Sequence, residues 1–205
     1  NSYTLSNNVE NLTYIGDAAF TATGNALANR IQGGIGNDVL DGRAGIDTAS
    51  YADAPSGVTV TLTMFTQDTG GAGVDSLTEI ENLTGSAFND TLTGDGGTNV
   101  LTGGAGDDIL GGQAGNDTLN GGVGDIDTAR FWDVRANYTI TENADGSWQV
   151  VHTGFNPANA LGRVSDGIDT LFNIEQAQFA DQILSLTNHG LVAVADSATT
   201  TENTP

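Results

Sequence analysis

Leu92, Leu101, Leu110 and Leu119 stand nine residues apart, each two positions after an Asp or Asn and seven after a glycine. The run reads GSAFNDTLT, GDGGTNVLT, GGAGDDILG and GQAGNDTLN from Gly85 to Asn120. Ile31 and Leu40 hold the same place in an in-phase block from Gly24 to Ser50, GNALANRIQ, GGIGNDVLD and GRAGIDTAS, and GGAGVDSLT at Gly70 to Thr78 repeats the pattern in another phase. A regularly spaced apolar residue in a polar chain implies a regular interior, and a period of nine belongs to a stacked supersecondary unit rather than to a single helix or strand. Each nonapeptide divides into a six-residue turn, where glycine tolerates positive φ, and a three-residue strand such as V-L-T. Two nonapeptides then complete one coil. Residues eighteen apart stack, strands pair in parallel at roughly 4.8 Å, and the eighth residue points inward. The expected fold class is all-β, a parallel β-roll of nonapeptide repeats interrupted and capped by antiparallel β-hairpin excursions.

The pattern breaks twice, and the breaks resemble one another. Asp47-Thr48-Ala49-Ser50-Tyr51 parallels Asp127-Thr128-Ala129-Arg130-Phe131, and each is followed by an alternating segment, Val58 to Leu62 and Tyr138 to Thr141. Each returns through a similar phrase, Gly73-Val74-Asp75-Ser76-Leu77 with Ile80-Glu81-Asn82-Leu83, and Gly167-Ile168-Asp169-Thr170-Leu171 with Ile174-Glu175-Gln176-Ala177. Val9-Glu10-Asn11-Leu12 reads as the tail of a third copy. The predicted organisation is the end of an upstream β excursion over 1–23, a first roll block over 24–50, a hairpin excursion and return over 51–84, the main block over 85–130, a second β-rich excursion or cap over 131–187, and a linker over 188–205. Ala144-Asp145-Gly146 predicts a hairpin turn. Phe131, Trp132, Tyr138, Trp148, Phe155, Phe172 and Phe179 concentrate in the cap and predict a packed core there rather than a ligand platform.

Composition narrows the partners. The chain has 205 residues, 26 acids against 5 bases and a formal charge of −21, which disfavours nucleic acid and anionic membrane and favours cations. Cysteine is absent, so no disulfide braces the glycine-rich turns. No apolar run approaches the roughly 20 residues that cross a bilayer, and the sequence reads as part of something longer. A flexible linker is the bland alternative for such a composition, but it does not explain leucines at strict intervals.

Stacking at eighteen residues pairs Asp90 with Asp108, Asn99 with Asp117 and Asn29 with Asp47, and one inserted residue brings Asp127 opposite Asp108. A hard cation such as calcium takes six to eight oxygens, carboxylates mixed with backbone carbonyls. Each space between stacked turns is therefore a candidate site, with Asp38, Asp47, Asp75, Asp90, Asp108, Asp117 and Asp127 as carboxylate donors. Fifth-position Asp107 and Asp125 are candidates for the neighbouring site, and Asn29 and Asn99 for weaker ones. Asp169 is a candidate of lower standing. Asp17, Asp53, Asp145 and Asp196 read as turn formers or surface acids. Without metal, two carboxylates about 5 Å apart at an effective dielectric near 20 repel by roughly 3 kcal/mol. An ion between them reverses the sign.

These nonapeptides resemble the RTX (repeats in toxin) family of secreted Gram-negative proteins over Gly24 to Ser50 and Gly70 to Arg130. The resemblance implies a right-handed roll, several Ca2+ ions in the turns, and export through type I secretion machinery as an unfolded chain that folds on meeting external calcium. It implies further ligands in the backbone carbonyls of Gly33, Gly34, Gly36, Gly85, Gly94, Gly103, Gly104, Ala105, Gly106, Gly112, Ala114 and Gly121. Gln113 departs from the pattern at a second position, Phe88 at a fourth and Asn99 at a sixth.

The function these features favour is a non-catalytic calcium-binding module that stabilises or stiffens part of a large extracellular or surface protein, adhesin-like. The alternative is an accessory and secretion module of a larger secreted enzyme. The chain supplies no chemistry of its own: His152 and His189 have no evident partners, and neither G-x-S-x-G nor H-E-x-x-H occurs. The ninth positions, Thr93, Thr102, Gly111 and Asn120, make no continuous threonine ladder for ice or crystal binding. Partners expected are calcium and flanking domains of the same chain, with no membrane span and with any surface or carbohydrate ligand unknown.

Overall fold

Short strands of three to six residues, separated by tight turns, make up most of the structure, a computed structural model that describes residues 1–124, 126–154 and 164–186. The chain alternates between one long sheet and two shorter ones. The long sheet orders β2 (Asn11–Thr13), β4 (Arg30–Gln32), β6 (Thr48–Ser50), β10 (Asn82–Thr84), β12 (Val100–Ala105), β14 (Thr118–Val123), β18 (Ile168–Phe172), β17 (Trp148–His152) and β16 (Tyr138–Glu142). A second sheet holds β1 (Ser2–Thr4), β3 (Thr21–Thr23), β5 (Val39–Asp41), β9 (Val74–Thr78) and β8 (Thr66–Asp68). The third holds β7 (Thr59–Thr61), β11 (Thr91–Thr93), β13 (Ile109–Gly111), β15 (Thr128–Arg130), β19 (Gln176–Gln178) and β20 (Ile183–Ser185). The fold is an all-β roll with parallel pairing along its length. No helix among the described residues is long and apolar enough to cross a membrane.

Register follows the period. Leu92 pairs with Leu110 and Leu101 with Leu119, eighteen residues apart. Leu92, Leu101, Leu110, Leu119 and Ile31 are completely buried, and Leu40 nearly so. Each leucine removed from water contributes about 1.5–3 kcal/mol, so the interior ladder drives the stacking that the polar turns cannot drive themselves.

The two repeat blocks form one roll. β6 pairs in parallel with β10, Ala49 opposite Leu83, so the long sheet crosses the first insertion without a break. The other side divides there. β5 passes to β9, with Leu40 opposite Leu77, whereas β11 is met by β7, with Leu92 opposite Val60. Within the expected excursion and return over 51–84, β7 lies in the roll as a parallel strand, and β8 runs antiparallel to β9. They touch through a Val58–Gly70 bridge and the bond from Thr59 N to Thr69 O. Burial explains the difference, since Val58 and Val60 are buried and need an inner face.

The second insertion is a hairpin. β16 and β17 pair antiparallel around Asn143 to Ser147, where Gly146 takes φ 85°, and β17 continues antiparallel onto β18 to extend the long sheet. Phe131, Tyr138 and Phe179 are buried together with ring centroids 5.1–5.3 Å apart. Trp132 and Trp148 are half-buried and Phe172 is partly exposed. Phe155, His189 and the expected linker over 188–205 lie outside the described residues.

Candidate metal centre

The sixth-position side chains form two rails. In one, Asn29 N donates to Asp47 Oδ1 (2.7 Å), Asp47 N to Glu81 Oε2 (2.7 Å), Asn99 N to Asp117 Oδ1 (2.8 Å) and Asp117 N to Asp169 Oδ1 (2.9 Å). In the other, Phe20 N donates to Asp38 Oδ1 and Asp38 N to Asp75 Oδ1, each at 2.8 Å. Past the first insertion that rail resumes with Val58 N to Asp90 Oδ1 (2.7 Å), Asp90 N to Asp108 Oδ1, Asp108 N to Asp127 Oδ1 and Asp127 N to Glu175 Oε2, the last three at 2.8 Å. Each carboxylate so accepts the amide of the turn before it, a charge-assisted bond stronger than a neutral one.

One oxygen is occupied in this way and the second is often left over. Oδ2 of Asp38, Asp47, Asp108 and Asp117 is buried without a hydrogen-bond partner. Burial pushes Asp108 up to about 7, with the charges of Asp90, Asp127 and Asp107 adding and the Asp90 amide opposing. Asp38 and Asp117 are pushed up to about 6, Asp75 to about 7 and Asp169 to about 8, in each case chiefly by burial. Asp47, Asp90 and Asp127 are raised from the same cause. A buried anion with an open oxygen is costly unless a proton or a cation joins it.

Glycines shape the space around these oxygens. A Cβ on Gly103 would fall against Asp108 Oδ2 and the Gly121 carbonyl oxygen, and one on Gly85 against Asp90 Oδ2 and the Gly103 carbonyl oxygen. Gly121 faces Asp127 Oδ2 and the Asn173 carbonyl oxygen in the same way, while Gly33 and Gly112 face the carboxylates of Asp38 and Asp117. Carboxylate and carbonyl oxygens therefore converge where only hydrogen fits. Gly34, Gly104 and Gly106 take φ of 95°, 122° and 109°, which aims their carbonyls as an L side chain would resist. No group of three acidic or histidine side chains gathers among the described residues. Each aspartate turn buries one carboxylate, so a hard cation here would be held mainly by backbone oxygens, and the oxygen-only donor set with its orphaned carboxylate atoms fits calcium.

Some expectations land elsewhere. Asp107 is exposed, and its Oδ1 accepts Ile126 N at 3.0 Å. It belongs to an outer ladder with Asn37, Asn89 and Asn116, which accept Val74 N, Asp107 N and Ile168 N. Asp125 lies outside the described residues. Asn29 and Asn99 stand in the first rail, but Oδ1 of each accepts an amide of its own turn, from Asn25 and Asp95. Asp90 also accepts from its own turn, the Ser86 amide reaching Oδ2 and the Ser86 hydroxyl Oδ1. Gln113 holds φ 76° where glycine would relax.

Sequence reasoning missed Glu81 and Glu175 as members of the rails. Each follows an insertion, and each restores the acceptor with a longer side chain for Asp47 and Asp127. The shared phrases Ile80-Glu81 and Ile174-Glu175 carried the signal; Ile80 and Ile174 are both buried, and Glu79 and Asn173 both take φ 50°. His152 is also not isolated. Its Nε2 faces Asp133 Oδ2 at 3.3 Å while Nδ1 accepts Asp166 N at 3.2 Å, which places the proton of the neutral ring on Nε2. Tyr138 OH donates to Asp166, and the Tyr138 ring stacks on His152 at 4.4 Å. Asp145 closes the hairpin turn by accepting Ser147 N and Oγ.

A family model for the RTX calcium-binding nonapeptide repeat matches the chain in four copies, over residues 21–49, 79–110 and 93–125. Comparison with curated proteins returns no match. The matched stretches are the ones whose turns carry the rails of Asp47, Asp108 and Asp117, and repeats of this family bind Ca2+. Residues 21–49 and 79–125 thus carry RTX calcium-binding nonapeptide repeats, and their strands stack within the parallel roll.

Proposed function

We propose that calcium ions sit between successive turns of both rails and switch the chain from a self-repelling polymer to a stiff roll once it is outside the cell. The ligands in this reading are Asp38, Asp47, Asp75, Asp90, Asp108, Asp117 and Asp127 with the carbonyls of their first-turn glycines. Asp169, Glu81 and Glu175 extend the rails across the insertions. The observation that carries it is the row of buried, unpaired Oδ2 atoms on Asp38, Asp47, Asp108 and Asp117. Four open anions in a chain of net charge −21 are a liability that a divalent cation removes.

Magnitudes locate the switch. Extracellular modules hold calcium with Kd of about 10⁻⁴ to 10⁻³ M, so ~1 mM ion contributes roughly 0.4–1.4 kcal/mol per site. At submicromolar concentrations the same sites contribute almost nothing. A chain of this kind stays loose where calcium is scarce, suits passage through a type I secretion channel, and sets after release as a stiffening segment of a large secreted or surface protein.

Far-UV circular dichroism and thermal unfolding of the chain, titrated with calcium from excess chelator, test this. Calcium is expected to raise the unfolding midpoint and complete the β spectrum, with magnesium much less effective. An unfolding midpoint that is the same in chelator and in millimolar calcium would defeat the proposal.

A further inference from the structure

Two turns of the first rail share a set of side-chain amide donations that the aspartate turns lack. In the turn from Gly94, Asn99 Oδ1 accepts Asp95 N at 2.8 Å, while Asn99 Nδ2 donates to Asp95 Oδ1 at 3.3 Å and to the Glu81 carbonyl oxygen of the preceding coil at 2.7 Å. In the turn from Gly24, Asn29 Oδ1 accepts Asn25 N at 2.7 Å, while Nδ2 donates to Asn25 Oδ1 at 3.3 Å and to the Val9 carbonyl oxygen at 3.2 Å. The second-position oxygens are used alike, Asp95 Oδ1 accepting Gly97 N and Asn25 Oδ1 accepting Leu27 N. Asn25 Nδ2 adds bonds to the Ser6 and Val9 carbonyls at 2.9 and 2.8 Å. Asn99 and Asn29 are 1% and 2% exposed.

An amide differs from a carboxylate in having a donor as well as an acceptor. At both turns that donor points at carbonyls of the preceding coil, the kind of oxygen a cation would take. The arrangement also has a sequence signature. In each case a sixth-position Asn accompanies an Asn or Asp at the second position, G-N-A-L-A-N and G-D-G-G-T-N, whereas the turns with an unpaired Oδ2 have Gly, Arg or Gln there.

We propose that Asn29 and Asn99 are resident latches: their side-chain amides stand in for a cation, and they set which gaps of the roll take calcium and which close without it. This rests on the aspartate turns holding calcium. One latch lies in each matched block, so each half of the roll carries a metal-free rung on which calcium-dependent rungs can build.

The full chain with Asn99→Asp and Asn99→Ala tests the assignment, with bound calcium counted by competition against a chromophoric chelator and stability measured by denaturant unfolding with and without metal. N99D is expected to gain a bound ion and to unfold more readily in chelator. N99A is expected to keep the wild-type ion count while losing stability both with and without calcium. Loss of an ion in N99A, or an unchanged count in a folded N99D, would overturn the latch while leaving calcium at the aspartates intact. Failure of the unaltered chain to bind calcium would instead sink both readings.

Discussion

Asp108 Oδ1 accepts the backbone amide of Asp90 at 2.8 Å, and its Oδ2, in the same buried turn, has no partner. In the proposed reading the two oxygens have separable duties, one for the roll and one for the ion. Asp108→Asn keeps the first and removes the charge of the second. The variant is expected to be as stable as the parent in chelator or more so, and to lose roughly 0.4–1.4 kcal/mol of the stabilisation that about 1 mM calcium provides. Denaturant unfolding in paired metal and chelator series measures both quantities, and a D108N variant equally responsive to calcium would contradict the division.

Protons should compete with calcium in a definite direction. Burial pushes Asp38 and Asp117 up to about 6, Asp75 and Asp108 to about 7 and Asp169 to about 8, all above the ordinary 3.8. Groups whose folded pKa is raised stabilise fully below their unfolded value, and that stability is lost as pH rises through the folded one. The metal-free roll is therefore expected to be more stable near pH 5 than near pH 8. Calcium affinity is expected to climb over the same interval, with proton release on binding. Circular dichroism in chelator across pH, with calorimetry in buffers of different ionisation enthalpy, checks both; a metal-free roll that gains stability toward pH 8 contradicts the scheme.

Glycine substitutions discriminate the cradle from ordinary turn flexibility. At Gly103 a methyl group would meet Asp108 Oδ2 and the Gly121 carbonyl, whereas at Gly96 nothing lies within 4 Å. Gly103→Ala is expected to abolish calcium binding at that rung and to destabilise the roll. Gly96→Ala is expected to be neutral or to stabilise by about 0.4–1 kcal/mol through the unfolded state. Calcium titrations of the pair settle the contrast.

At the insertions, Glu81→Ala and Glu175→Ala leave the amides of Asp47 and Asp127 without their acceptors. A cost of about 1–3 kcal/mol each is expected, in chelator as well as in calcium, because the bond is to backbone. Glutamine at either position is expected to recover most of it. Equal loss in the alanine and glutamine variants would mean that charge, not the hydrogen bond, is what these residues supply.

The sequence by itself determined the period, the inward leucines and the pairing of carboxylates. These follow from a local unit repeated at a constant interval, so Asp90 must meet Asp108 once Leu92 meets Leu110, and a single inserted residue still brings Asp127 to Asp108. Only the tertiary structure decided how the roll crosses its interruptions. That β6 pairs with β10, that β7 enters the roll beside β11, and that Glu81 and Glu175 complete the rails depend on which strand edge and which orphaned amide lie within reach after a long detour. Asn99 makes the same point on a smaller scale. Its position was legible as a departure from the repeat, but the direction of its amide, toward the Glu81 carbonyl, is set by a chain segment from the preceding coil. Periodic contacts can be read from spacing because each repeat poses the same packing problem; contacts across an insertion are solved once, by the geometry of the folded chain.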